Sequence, residues 1–213
     1  MLFRSDLTML NKGVQRELYP LPRVSDMLAQ LSVGQLFSKL DANSGFWQIV
    51  LEENSQLLTT FLTPWGRFCY NRMPFGISSA PEFFQKSMEK ILHGLEGVIC
   101  MMDDILVYGT NSKEHWQRLK LVLQRIRNSG MTLKKEKCQF GMTEVKFLGH
   151  LVSVQGIKPD PDKVSAIMAL TPPTGKREAR SLMGMVNYLN KFSKKLAEIS
   201  APIYAVTCAS DLV

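Results

Sequence analysis

The chain has 213 residues, 45% of them hydrophobic, and carries 26 Lys+Arg against 19 Asp+Glu, a formal charge of +7. That composition excludes a disordered or fibrous polymer, and no apolar run approaches the ~18 residues that a membrane-spanning helix needs. The opening Met1-Leu2-Phe3-Arg4-Ser5-Asp6 meets an acid before an apolar stretch can build, which argues against a secretory signal peptide; an intracellular protein, cytoplasmic or nuclear, is expected. Residues 1–110 hold nine basic and eleven acidic side chains, whereas residues 111–213 hold seventeen basic and eight acidic. The positive field belongs to the second half and fits a polyanionic partner, although a solvated lysine-rich face has the same composition. Cys69, Cys100, Cys138 and Cys208 form no C-x-x-C pair, and His93, His115 and His150 are equally scattered, so neither a zinc site nor a disulfide framework is indicated.

Along the chain, Val24 to Leu31 has helical spacing, and after Gly34 the run Leu36 to Asp41 alternates as a strand ending in an acid. Thr59–Thr63 and Arg67–Asn71 flank Pro64-Trp65-Gly66 as a hairpin. Ser79 with Glu82 three residues later reads as a capping box, with Pro81 in the first turn of a helix reaching about His93. Val98–Met102 and Ile105–Tyr108 are apolar strands separated only by Asp103-Asp104. Ser112 to Asn128 is a second helix, with Trp116, Leu119, Leu123 and Ile126 on its apolar face and Gly130 closing it. A hairpin spans Val145 to Val152, Gly156 to Pro161 reads as a linker, and helices start near Pro161 and near Thr174, where Thr174 and Glu178 frame the first turn. The order of elements argues for an α+β domain with a helical appendage.

Three carboxylates carry the chemistry. If the strand of Asp41 lies beside the hairpin of Asp103 and Asp104, the acids repel one another and resist desolvation, a cost of several kcal/mol. A divalent cation removes it. Hard oxygen donors without His or Cys favour Mg²⁺, and two such ions support in-line phosphoryl transfer. An acidic pair also suits an ordinary polar turn, so spacing alone leaves both readings open.

Leu40-Asp41-Ala42-Asn43-Ser44-Gly45-Phe46-Trp47-Gln48-Ile49, Met73 to Pro81, Met101 to Val107 and Lys146-Phe147-Leu148-Gly149-His150 closely resemble, in this order and spacing, the reverse transcriptase of gypsy-type LTR retrotransposons. The resemblance runs from about Asp6 to about Tyr204. It implies a right-hand polymerase fold with an antiparallel palm sheet, truncated fingers and a helical thumb. Fingers would occupy about 1–20 and 49–78, palm 21–48 and 79–154, and thumb 155–213. It further implies that Asp41, Asp103 and Asp104 are the catalytic, metal-binding acids, with the backbone of Ala42 beside one of two Mg²⁺ ions and Mn²⁺ as an alternative metal. Phe46 matches the aromatic under the incoming sugar, although it also reads as a core side chain beside Trp47. Phe75 and Gly76 match the turn lining the nucleotide pocket, Gln85 faces the template in relatives, and Arg72 could reach template backbone. Leu148, Gly149 and His150 match the hairpin that grips the primer end.

In the tail, Ala179, Leu182, Val186 and Leu189 make an apolar stripe, and Arg177, Arg180, Gly184, Asn187 or Tyr188, and Lys191 make a second at helical spacing. The resemblance is to the thumb helix that follows the minor groove, whose wide, shallow form in A-type duplexes suits shape reading. Relatives place an Arg four residues before the acid matching Asp6 as part of a triphosphate clamp. Here that position is Leu2, with Arg4 out of register, so the chain reads as a truncated copy lacking the clamp. Met101 stands where many relatives have Tyr. The implied function is an RNA-directed DNA polymerase core using primer, RNA or DNA template and deoxynucleoside triphosphates, with its activity in this chain in question. The alternatives are an inactive nucleic-acid-binding remnant and, less well matched, a metal-dependent nuclease. No membrane partner is expected, and oligomeric state is not legible.

Overall fold

The computed structural model describes residues 6–193 and 195–208. Leu2 and Arg4, on which the missing clamp rests, lie outside the described residues. In chain order the elements are α1 (Thr8–Gly13), α2 (Val24–Gln30), β1 (Leu36–Asp41), α3 (Glu53–Leu58), β2 (Phe61–Thr63), β3 (Gly66–Phe68), α4 (Ala80–Leu92), β4 (Val98–Met101) and β5 (Asp104–Gly109). There follow α5 (Ser112–Asn128), β6 (Gln139–Met142), β7 (Glu144–Phe147), β8 (His150–Ser153), β9 (Gly156–Pro159), α6 (Pro161–Met168), α7 (Lys176–Asn187) and α8 (Leu196–Cys208). Among the described residues no helix is long and apolar enough to cross a membrane.

Strand periodicity builds the centre. Successive residues of β1 point to opposite faces, and both faces of the four-stranded sheet β4-β5-β1-β6 are covered. On one side Leu40, Ile105 and Val107 pack against Phe84 and Met88 of α4 and against Leu119, Val122 and Ile126 of α5. On the other, Phe37, Ile99 and Leu106 meet Met27 and Leu28 of α2 and Val145, Phe147 and Val152 of the three-stranded sheet β7-β8-β9. Each such side chain contributes about 1.5–3 kcal/mol through removal from water.

The bounds of β1 and α5 are those expected from their patterns, and the Asn111 side chain caps α5 by accepting the Glu114 N–H at 2.9 Å. Four local readings differ. The box at Ser79 does not close: Ser79 has helical backbone angles, unsuited to an N-cap, and makes no side-chain cap, and Glu82 is paired with Arg16 at 2.9 Å instead. The buried stripe of α5 is His115, Leu119, Val122 and Ile126, while Trp116 is 49% exposed beside Gly141. The segment read as a linker is strand β9, antiparallel to β8; Pro159 ends this edge strand, where a missing N–H disturbs no ladder. On α7 the buried positions are Ala179 and Met183.

Candidate active site

The register of one ladder makes the site. β1 pairs antiparallel with β5 so that Asp41 stands directly opposite Asp104, and directly opposed residues put their side chains on one face. The turn from β4 to β5 is tight, with Met102 left-handed at φ 52° and Asp103 at its tip. Asp103 is tied to β1 through its carbonyl, which accepts the Ala42 N–H at 2.8 Å. A Cβ at Gly45 would collide with the Asp103 carboxylate, so glycine there is what lets the loop after β1 close against the acid. The three expected acids and Ala42 are therefore brought to one end of the sheet.

Their charge is incompletely balanced. Burial raises the pKa of Asp103, and repulsion from Asp41 and Asp104 adds to it, partly opposed by Lys137. Lys137 Nζ lies 3.0 Å from Asp41 Oδ2, and Lys39 Nζ lies 2.9 Å from Asp104 Oδ1. The bond to Asp41 in turn holds Lys137 above the usual lysine range. Among the described residues no three His, Cys, Asp or Glu side chains converge as a preformed metal-holding group, and two of the acids are engaged by these ammonium groups. The donor set nevertheless fits a hard divalent cation: it is all oxygen, it is crowded, and the lysines supply positive charge at its margins. An open cleft of about 640 Å³ is lined by Lys39, Asp41, Asp104 and Lys137 and extends to Lys146 and Leu151.

Lys39 and Lys137 escaped the sequence reading. Lys39 had a signal, because a residue two before Asp41 in a strand shares its face; Lys137 reaches the site through the loop before β6 and had none.

Next to the acids lies an aromatic wall. Phe46, half-buried, packs against Phe75 with ring centroids 5.2 Å apart and against Phe84 at 5.5 Å. Phe75 is 50% exposed, and Gly76 takes φ 102° while its carbonyl accepts the Asn11 side-chain N–H at 2.7 Å. Arg72 donates to the carbonyls of Trp47 and Gln48 at 3.3 and 3.2 Å, bracing the loop after β1. Gln85 is fully buried: it accepts from Met102 N–H at 2.8 Å and donates to the carbonyl of Cys100 at 2.9 Å and to Glu89 at 2.8 Å. Its amide is spent on the acidic turn and does not reach the surface.

The β7–β8 turn holds Leu148 and Gly149 at positive φ, 48° and 74°. His150 is buried behind it, and Tyr188 donates its hydroxyl to the Gly149 carbonyl and accepts the Asp160 N–H at 3.2 Å. On α7, Arg177, Arg180, Gly184 and Asn187 are exposed and follow one another at helical spacing. A Cβ at Gly184 would meet nothing within 4 Å.

With this geometry in hand, comparison with known proteins is decisive. Residues 1–152 match the family described as "Reverse transcriptase (RNA-dependent DNA polymerase)". The chain belongs to the reverse transcriptase family. This reverse transcriptase chain is 37% identical over 200 residues to the Retrovirus-related Pol polyprotein from transposon 297 of Drosophila melanogaster, covering 93% of this chain and 19% of that protein. It is 34% identical over 200 residues to the Transposon Tf2-3 polyprotein of Schizosaccharomyces pombe, covering 93% of this chain and 15% of the relative. The chain thus spans about a fifth or less of the curated relatives it matches. Among solved structures, a foamy viral protease-reverse transcriptase in complex with double-stranded DNA superposes with a TM-score of 0.90 at 24% identity, covering 96% of this chain and 36% of that one. The same viral protein with an RNA/DNA hybrid gives 0.83 at 24% identity, covering 96% and 28%. The α+β polymerase fold expected from the motifs is thereby established, as is similarity to the reverse transcriptase region of retrotransposon polyproteins.

Proposed function

We propose that this chain is the core of an RNA-directed DNA polymerase of the gypsy type, which extends a primer 3′-hydroxyl with deoxynucleoside triphosphates on an RNA or DNA template. The observation that carries the reading is the opposition of Asp41 and Asp104 across the ladder, with Asp103 at the adjoining turn. Asp41, Asp103, Asp104 and the Ala42 carbonyl would hold two Mg²⁺ ions, which when bound lower the pKa of the attacking hydroxyl and neutralise charge on the leaving pyrophosphate. The protein does the rest by positioning. Gln85 fixes the acidic turn from beneath, and Gly45 lets the loop after β1 lie against it. Phe46, wedged by Phe75 and Phe84, presents a ring under the incoming sugar. Fingers (1–20, 49–78), palm (21–48, 79–154) and thumb (155–213) would surround the duplex, with the exposed row Arg177, Arg180, Gly184 and Asn187 along its minor groove.

A second reading, a duplex-binding remnant without turnover, draws on the ion pairs that Lys137 and Lys39 make with Asp41 and Asp104, which compete with a cation for the same oxygens. Primer extension on an RNA template with Mg²⁺ or Mn²⁺ separates the two. Incorporation that disappears in Asp103→Asn is expected; tight duplex binding with no incorporation above the Asp103→Asn background selects the remnant.

A further inference from the structure

Beside the acids, one side-chain amide joins two loops 84 positions apart in sequence. Gln48, in the short turn Gly45–Gln48, accepts the Thr132 N–H through Oε1 at 2.7 Å and the Thr132 hydroxyl at 3.4 Å. Through Nε2 it donates to the carbonyls of Asn43 at 2.8 Å and Thr132 at 3.1 Å. A peptide N–H only donates and a carbonyl only accepts, so these partners fix which end of the amide is oxygen. Both lone pairs and both protons are used, and Thr132 is gripped at its N–H and its carbonyl at once. A glutamine near a protein surface normally turns its amide to water, and nothing in the first motif block, where Gln48 stands, assigns it a role.

What the amide closes is a short ladder that runs to Asp41. Ala42 pairs antiparallel with Leu133, the Thr132 carbonyl accepts the Asn43 N–H at 3.0 Å, and the Asp41 carbonyl accepts the Lys134 N–H at 2.9 Å. From Lys134 the chain makes one tight turn, Lys135–Lys137, in which the Lys137 N–H returns to the Lys134 carbonyl at 3.0 Å. The Lys137 ammonium then falls 3.0 Å from Asp41 Oδ2, although its side chain is 57% exposed. An ion pair that open favours contact over separation by about fivefold at most, too little to fix a long flexible side chain. The backbone ladder therefore decides where the amine lies. On its other side, Gln48 shares its turn with Phe46, and Arg72 holds the carbonyls of Trp47 and Gln48. One residue thus links the turn of Phe46 to the loop of Lys137.

We propose that Gln48 is a positioning residue of the acidic site: by locking the loop after α5 to the loop after β1, it sets Lys137 against Asp41 and ties that lysine to the turn of Phe46. The clamp stays closed when a cation takes the Asp41 oxygens, so the displaced amine remains at the cleft that Lys137 and Asp41 line together. The consequence for nucleotide addition rests on the polymerase function proposed above; the hold on Lys137 stands without it.

The test uses the whole 213-residue chain with Gln48→Met, which keeps the length of the side chain and loses its hydrogen bonds, beside Lys137→Gln and the double variant. The first probe is Mn²⁺ alone, titrated by calorimetry. Lys137 competes with a cation for Asp41, so Lys137→Gln should tighten Mn²⁺ binding about twofold to fivefold, the range set by an exposed ion pair. Gln48→Met should tighten it within the same range, and the double variant should bind no more tightly than the tighter single variant. Unchanged or weaker Mn²⁺ binding in either single variant, or effects that add in the double variant, overturns the proposal, because a residue needed only for folding has no coupling to that amine. The second readout is nucleotide addition: Gln48→Met should lower kcat about tenfold with the KM for primer-template unaltered, again without adding to Lys137→Gln. Unaltered kcat overturns the link to nucleotide addition. A wild-type chain that extends no primer removes the polymerase function instead, and the Mn²⁺ cycle alone then decides Gln48. If Gln48→Met fails to fold, amide exchange in the wild-type chain decides: the Thr132 and Lys134 N–H groups should stay protected at saturating Mg²⁺, and rapid exchange at either overturns the clamp.

Discussion

The side chain of Gln85 accepts the backbone N–H of Met102 at 2.8 Å, so a fully buried amide on α4 holds the left-handed residue that aims Asp103. The same amide donates to Cys100. Gln85→Leu therefore strands a buried donor and a buried acceptor, each costing about 1–3 kcal/mol. Urea unfolding should show a loss in that range or above it. A variant as stable as wild type would mean that the turn holds itself.

Asp103 is an acid under stress, with its pKa raised by burial and by Asp41 and Asp104. Asp103→Asn removes one of three crowded charges and should stabilise the cation-free chain, by less than about 1 kcal/mol because solvent screens the group. Wild type should gain thermal stability with Mg²⁺ or Mn²⁺ and the variant should gain less. Equal cation responses in differential scanning fluorimetry would remove Asp103 from the metal centre.

Gly184 sits inside α7 with open space where a Cβ would be. Replacing a helical glycine by alanine is worth up to about 1 kcal/mol. Gly184→Ala should thus raise the melting temperature while weakening duplex binding, because the new methyl stands between helix and groove. Stability and affinity rising together would show that this face does not meet nucleic acid.

His115 is fully buried, shares a 3.0 Å hydrogen bond with Ser38, and has its pKa lowered by burial. The unfolded chain, with an imidazole near pKa 6.5, takes up that proton first as pH falls. Stability is then complete above about pH 6.5, declines as the pH drops, and levels off once the folded state also protonates. His150 has the same sign. Thermal melts between pH 5 and 8 should show this slope, reduced in His115→Gln; a slope that the substitution leaves unaltered would assign it to other groups.

Local chemistry written in short runs was legible in the sequence. The alternation of Leu36 to Asp41 and the cap and periodicity of Ser112 to Asn128 set element bounds without reference to anything distant. The four motif blocks likewise carried the family, and with it the polymerase fold. Tertiary structure decided whatever depends on which segments meet. The sequence cannot display the register that opposes Asp41 to Asp104, because hydrogen-bonded pairing joins residues more than sixty positions apart. β6 has little apolar alternation and is a strand because β1 offers it an edge, and β9 forms on β8 for the same reason. Ser79 and Glu82 have the spacing of a capping box, yet Arg16 takes the glutamate. Gln85, polar and helical, carries no local sign of burial, and only the fold sets its amide under the acidic turn. Lys137 bears no local mark at all; a charge acquires its meaning from the carboxylate that the fold sets beside it.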